Sequence, residues 1–427
     1  MFRFPLALVI LALFAVCQLE AQNSASKNTP AQPGYHLPPD KHEKAVAYSR
    51  WGYALHFLGA AWTAAVLVGI LRSRAAPRLR EWIEDKTHRR FWQAVVFMPC
   101  LLLAFDIPRL PLSLFWHWIN LHYQQSVQGW GSWLWDWTKF EFLQAVAAIF
   151  LGWMLNALIW RFPRSWWFRF WLAIVPIFIF IFFIQPEVIE PLFFDFEPLA
   201  ATQPNLVSAI GKVVERGNLS IPPERIYSMK ASEKLTSPNA YVTGIGASKR
   251  VVVWDTTTSK MTQPQTLFVF GHEMGHYVLG HMRDLILFAC GLIFVAMFAT
   301  YRVVGRALER WGREWEIRGV EDWAALPLLV LILTTFAFLA EPVINTVSRY
   351  YEHQADVYGA EVTFGLIPPA AQTGTATFQV LGELGLEAPN PNPLIKFWLF
   401  SHPSISERVA FVQQYDPWST HETRYVH

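Results

Sequence analysis

TLFVFGHEMGHYVLGHMRD, residues 266–284, runs at Leu285 into an apolar stretch that ends at Val304. The segment passes from a chemistry-bearing helix into a membrane span, and the fold turns on that junction. Its helical part carries H-E-x-x-H as His272, Glu273 and His276. Residues four apart lie on one helical face, so both imidazoles can bind one zinc ion while Glu273 polarises its water. Pro264 sits where the first turn of such a helix tolerates it.

The whole chain agrees with a membrane setting. Of its 427 residues 53% are hydrophobic and 16% charged, with a mean hydropathy of +0.23, too apolar for an ordinary soluble protein. A net charge of +2, evenly spread, excludes the footprint of a nucleic-acid binder. Cys17, Cys100 and Cys290 each lie in apolar sequence and have the spacing of neither a disulfide framework nor a thiolate metal site.

Outward from the junction, spans of roughly 20 apolar residues are read at Trp51–Leu71, Phe91–Trp116, Phe142–Trp160, Trp166–Ile184, Leu285–Val304 and Trp323–Val343. The second is interrupted by Asp106, Pro108, Arg109 and Pro111. Either these face a protein-lined or watery cavity, or the span ends near Phe105. Tryptophans such as Trp130, Trp133, Trp135 and Trp137 form an interfacial belt against lipid. Phe2–Val16, after Arg3 and before a polar run, reads as a secretory signal with Ala21 at the cleavage position, and an uncleaved anchor is the alternative. The expected organisation is therefore 1–21 signal peptide or anchor, 22–185 membrane helices, 186–283 the first part of a protease domain, 284–343 two spans, and 344–427 its second part.

Short basic loops set the orientation. Arg72, Arg74, Arg78, Arg80, Lys86, Arg89 and Arg90 lie in one, Arg161, Arg164 and Arg169 in another, and Arg302, Arg306, Arg310, Arg313 and Arg318 in a third. All can be cytoplasmic only if 186–283 and 344–427 lie outside.

Within 186–283, Leu206–Arg216 has helical periodicity, with Leu206, Ile210, Val213 and Val214 on one stripe. Arg225–Met229 and Arg250–Trp254 read as strands. A catalytic zinc needs a third protein ligand, and SRYYEHQAD, 348–356, offers Glu352. Asp356, one turn on, can hydrogen-bond a ligating imidazole and fix its tautomer. The chain crosses the membrane twice between His276 and Glu352, an even number, so both stand on one side. If the helices continue unbroken, Glu273 stands about 18 Å from Leu285 and Glu352 about 13 Å from Val343, which puts the site just above the interface. His281 and His353 point off the ligand face and read as solvated or as supporting groups.

LPLSLFWHW (110–118), EPLFFDFEPL (190–199), NAYVTGIGASKRVVVWDT (239–256), FGHEMGHYVLGH (270–281), NTVSRYYEHQAD (345–356) and SHPSISERV (401–409) occur in order. In these motifs the sequence resembles the type I CAAX prenyl endopeptidase family of multi-spanning zinc metalloproteases, as a bacterial-type member akin to the heat-shock membrane protease. The resemblance implies a mainly α integral membrane protein, six to seven transmembrane helices enclosing a chamber and a zincin-like α+β metalloprotease domain. It implies one Zn²⁺ per chain, a peptide or protein substrate, and a bacterial inner-membrane location. The NAY segment would form an edge strand on which substrate is laid, with Asn239 near the scissile bond or else a turn residue after Pro238. Arg349 and His402 match polar family positions that anchor the site or steady the transition state, and His402 is equally a histidine at a helix start before Pro403. Two departures stand out. The charges place the catalytic part outside, whereas the eukaryotic prenyl proteases face the cytosol, and the family's seventh span falls on the apparent signal. A second functional class, a non-catalytic chamber or transporter with a structural zinc, needs a fourth ligand that no His, Cys or carboxylate supplies at suitable spacing.

Overall fold

The computed structural model describes residues 34–244, 249–419 and 421–426, so the proposed signal or anchor lies outside the described residues. Its membrane part opens with α1 (Pro39–Arg72), which begins well before the apolar run because Pro39–Arg50 forms a polar helical extension. An amphipathic α2 (Ala75–Glu84) fills the first basic loop. The second expected span is a bent pair, α3 (Arg90–Asp106) and α4 (Leu110–His122), meeting at 53°. Pro108 has no N–H to continue a helix. At the break Arg109 Nη1 donates to Asp106 Oδ1 at 2.8 Å, and Trp62 Nε1 donates to the Pro108 carbonyl, also at 2.8 Å. The charges therefore satisfy one another at the bend.

Next come α5 (Trp130–Arg161), α6 (Trp166–Ile184), α10 (His281–Trp311) and α11 (Leu326–Thr363). Among the described residues five helices are long and apolar enough to cross a membrane, six when the bent pair counts as one span. Contacts run α1 to α3, α3 to α5, α5 to α6, α6 to α10, α10 to α11 and α11 back to α1, a closed ring. None of the apolar window of Trp166–Leu192 is buried, and 44% is the largest share for any span. Thin walls of this kind enclose a chamber instead of packing into a solid bundle. One end of the ring is sealed by Leu71, Ile83, Phe97, Ile159, Trp166, Val304 and Trp323, beneath the basic loops. There the buried Arg80 donates from Nη1 to Asp322 Oδ2 at 2.5 Å and to the Glu316 carbonyl.

At the other end lies a four-stranded sheet, β1 (Phe196–Pro198), β2 (Ile226–Met229), β3 (Ala240–Thr243) and β4 (Arg250–Trp254), in the order β1-β2-β4-β3. β2 and β4 are parallel and β3 pairs antiparallel with β4, Val242 opposite Val251. β3 is therefore an edge. The helix read at Leu206–Arg216 is α7 (Pro204–Arg216), and its apolar stripe packs on Val251 and Val253. Phe270 and Met274 from α9 (Gln263–Val278), behind the short α8 (Asp255–Lys260), join Tyr358 and Val362 of α11 in that same core. The C-terminal part adds α12 (Ala370–Gly385), α13 (Pro393–Leu399) and α14 (Ile405–Gln414).

One expectation is corrected here. The helix of H-E-x-x-H does not continue into the span: α9 ends at Val278 and α10 begins at His281, with Gly280 between them at φ +75°. Only a residue without Cβ adopts this left-handed geometry at little cost. The helix of Glu352 does run unbroken, for 38 residues.

Candidate metal centre and active site

α9 starts firmly, with Thr262 and Gln265 forming a reciprocal capping box. It then lies against α11 so closely that a Cβ on Gly359 would stand 2.9 Å from the backbone nitrogen of His272. Glycine at that crossing lets the two backbones touch, and the touching surfaces carry the chemistry.

His272, His276 and Glu352 converge, each offering an atom within 4.8 Å of the others. His272 Nε2 is 3.1 Å from Glu352 Oε2, His276 Nε2 is 3.5 Å from Oε1, and the two Nε2 atoms are 3.2 Å apart. The opposite ring nitrogens are engaged elsewhere. His272 Nδ1 meets Asp356 Oδ1 at 2.8 Å, and since a carboxylate only accepts, Nδ1 carries the proton and Nε2 presents its lone pair. Asp356 is itself held by Arg408, Nη2 to Oδ1 at 2.6 Å and Nε to Oδ2 at 3.0 Å. His276 Nδ1 lies 3.2 Å from His281 Nδ1, whose Nε2 meets Gln354 Oε1 at 3.0 Å. His281 is thus a buried supporting group and not a solvated one.

The donor set suits a cation. Glu352 Oε2 is buried yet makes no well-directed hydrogen bond, and both imidazole lone pairs aim at the same place. Burial disfavours a charged His272, but Asp356 and Glu352 outweigh it and push its pKa up to about 10. The cluster attracts a proton where a metal ion would compete for the same atoms. Two imidazoles and a carboxylate are a zinc-type set with a position left for water. Burial raises the Glu273 pKa, while His272 and His276 oppose the rise.

The remaining expected residues divide. Asn239, Glu273 and His402 line one cleft with His272. Asn239 caps the start of β3, its Oδ1 accepting from Ala240 N at 2.8 Å, while its carbonyl accepts from Trp254 N at 3.0 Å. His402 Nε2 is 3.3 Å from Glu352 Oε2, and its Nδ1 is 2.9 Å from Ser401 Oγ. Arg349 is not in the cleft. Its Nη1 donates to the carbonyls of Lys396 and Phe400, at 3.1 and 2.5 Å, so it holds the turn that leads to His402. His353 lies apart, edge-on to Phe411. Sequence reading missed Arg408, although it stands inside SHPSISERV, just past the capping box of Ser404 and Glu407 that starts α14.

A profile described as Peptidase family M48 matches residues 200–416, and one described as CAAX prenyl protease N-terminal, five membrane helices, matches 18–195. The chain belongs to peptidase family M48. It is 35% identical to the uncharacterized metalloprotease YhfN of Bacillus subtilis, over 91% of this chain and 89% of that protein. A CAAX prenyl protease 1 homolog of Dictyostelium discoideum is 27% identical over 58% of this chain and 56% of its own length. The crystal structure of S. mikatae Ste24p has the same fold, with a TM-score of 0.80 at 20% identity, covering 96% of this chain and 97% of that one. This M48 member is therefore an integral membrane metalloprotease of the chamber type, acting on peptide or protein, and the silent-chamber alternative is set aside. The family implies a metal, and the cluster described above fits one.

Proposed function

We propose that the chain is a zinc-dependent endopeptidase that hydrolyses membrane-associated or exported proteins on the extracytoplasmic face of a bacterial inner membrane. The convergence of His272, His276 and Glu352 beside Glu273 carries this reading. When bound, Zn²⁺ would supply Lewis acidity, lowering the pKa of water and polarising the scissile carbonyl. Glu273 takes the proton of the attacking water and delivers it to the leaving amide nitrogen, work for which a raised pKa suits it. Asp356, backed by Arg408, holds His272 in the tautomer that presents Nε2. The open edge of β3 receives an extended segment of substrate as an added strand, with Asn239 near the scissile bond. Arg349 sets the turn that brings His402 to the cleft.

The test is Glu273→Gln in purified protein with measured zinc content. Hydrolysis of a peptide substrate should fall by about a thousandfold, with zinc stoichiometry unchanged. An active, zinc-loaded variant would remove Glu273 from the chemistry.

Sidedness rests on the three basic loops, and it separates this enzyme from proteases of prenylated cytosolic tails. In a background with Cys17, Cys100 and Cys290 replaced, single cysteines at the exposed Glu224 and Glu422 should react with a membrane-impermeant thiol reagent in intact cells. One at the exposed Ala75 should react only after the membrane is opened; its neighbour Ala76 is buried and uninformative. The reverse pattern returns lipidated cytosolic tails to contention as substrates.

A further inference from the structure

The cleft lined by Asn239, His272, Glu273 and His402 encloses about 310 Å³, and beyond those polar groups one side of it is apolar. Met261, Phe268, Phe378, Leu381 and Ile405 make its apolar wall. Phe268 and Phe378 meet edge to face with centroids 5.7 Å apart and are both buried, so this wall is firmly packed. Five ionisable groups line it: His272, Glu273, His402, Arg408 and Glu387. The first three belong to the cluster or the proposed chemistry, and Arg408 is held bidentate by Asp356. Glu387 alone has no such part.

Its position is set by the backbone. Leu386, just past α12, adopts a left-handed conformation at φ +49°, which turns the chain toward the cleft. Glu387 N donates to the Gly382 carbonyl at 3.0 Å, and the hydroxyl of the buried Tyr35 donates to the Glu387 carbonyl at 3.0 Å. Among the described residues no basic group lies within ion-pair distance of the Glu387 carboxylate, and the nearest charge acting on it in the cleft is Arg408, already held by Asp356. A carboxylate beside an apolar wall repels acidic side chains. It also favours a long aliphatic stem that ends in a cation.

We infer that this cavity is the pocket for a substrate residue flanking the scissile bond, and that Glu387 selects lysine or arginine there. The inference rests on the endopeptidase reading above. Its test uses zinc-loaded protein in detergent and quenched-fluorescent peptides carrying Lys, Arg, Leu or Glu at each position beside the cleaved bond. At one flanking position kcat/KM should favour Lys and Arg over Glu by about tenfold or more. Glu387→Gln should reduce the Lys-to-Leu ratio of kcat/KM by about tenfold, and Glu387→Lys should turn the preference toward Glu. Cleavage with no preference at either position, or ratios unmoved by Glu387→Gln, overturns the assignment and leaves the peptidase standing. Cleavage of no peptide by the zinc-loaded wild type overturns both.

Discussion

The two helices that meet at the cluster are built on opposite plans. α9 supplies both histidines and Glu273 from a helix of 16 residues that stops short of the membrane at Gly280. α11 supplies Glu352 and Asp356 from the last third of a helix that first crosses the membrane. The first is anchored in the soluble core through Phe270 and Met274; the second belongs to the ring and enters that core only at its far end, with Tyr358 and Val362. A cluster shared between them requires both bodies to be in register, and the glycine crossing at Gly359 is what fixes that register.

Breaking the comparison at its α11 side should give the largest effect. Glu352→Ala leaves two imidazoles facing a buried site with one carboxylate fewer, and two imidazoles hold zinc weakly. Zinc content after dialysis against a mild chelator should drop from one per chain to a small fraction, with activity lost in parallel. Undiminished zinc would mean that α11 is dispensable for the metal and that the third ligand lies elsewhere.

A smaller effect should follow when Glu352 is kept and only the α11 support of α9 is weakened. Asp356→Asn preserves shape but removes the charge that orients His272 and that holds Arg408. Losing such an outer partner lowers metal affinity by about 10–100-fold. Zinc competition with a fluorescent chelator measures this directly. An Asn variant with wild-type affinity would show that the crossing at Gly359 alone aligns the imidazole.

The sequence made this architecture legible unevenly, for physical reasons. Six spans follow from hydropathy, because roughly 20 apolar residues have few other uses. The polar extension Pro39–Arg50 carries no such signal, since an extramembrane helix need not be apolar, and at Trp130–Glu141 the tryptophans mark an interface without saying that the helix of the next span already begins there. Glu352 could be placed because two crossings return the chain to the side of His276, an argument of parity that needs no distances. The break at Gly280 was not legible. A single glycine in a helical pattern costs only about 1 kcal/mol, so periodicity passes through it. Arg408 escaped notice because it binds no metal, and its role exists only through Asp356, 52 residues earlier.

The smallest effect should come from the α9 side, at the break itself. Gly280 holds φ +75° and ψ 19°, which costs an alanine about 1–2 kcal/mol and an asparagine less. Gly280→Ala pulls the chain toward the continuous helix that the sequence alone suggests. That would rotate α9 against α10 and shift His276 relative to His281, its partner across the break at 3.2 Å. Because Thr262 and the core contacts of Phe270 still hold α9 from its other end, the change should be partial. Activity is expected to fall less than tenfold, with a modest loss of thermal stability, and Gly280→Asn should recover most of both. If Ala matches wild type while Asn does not improve on it, the left-handed residue is incidental, and the separation of α9 from its span has no bearing on the metal centre.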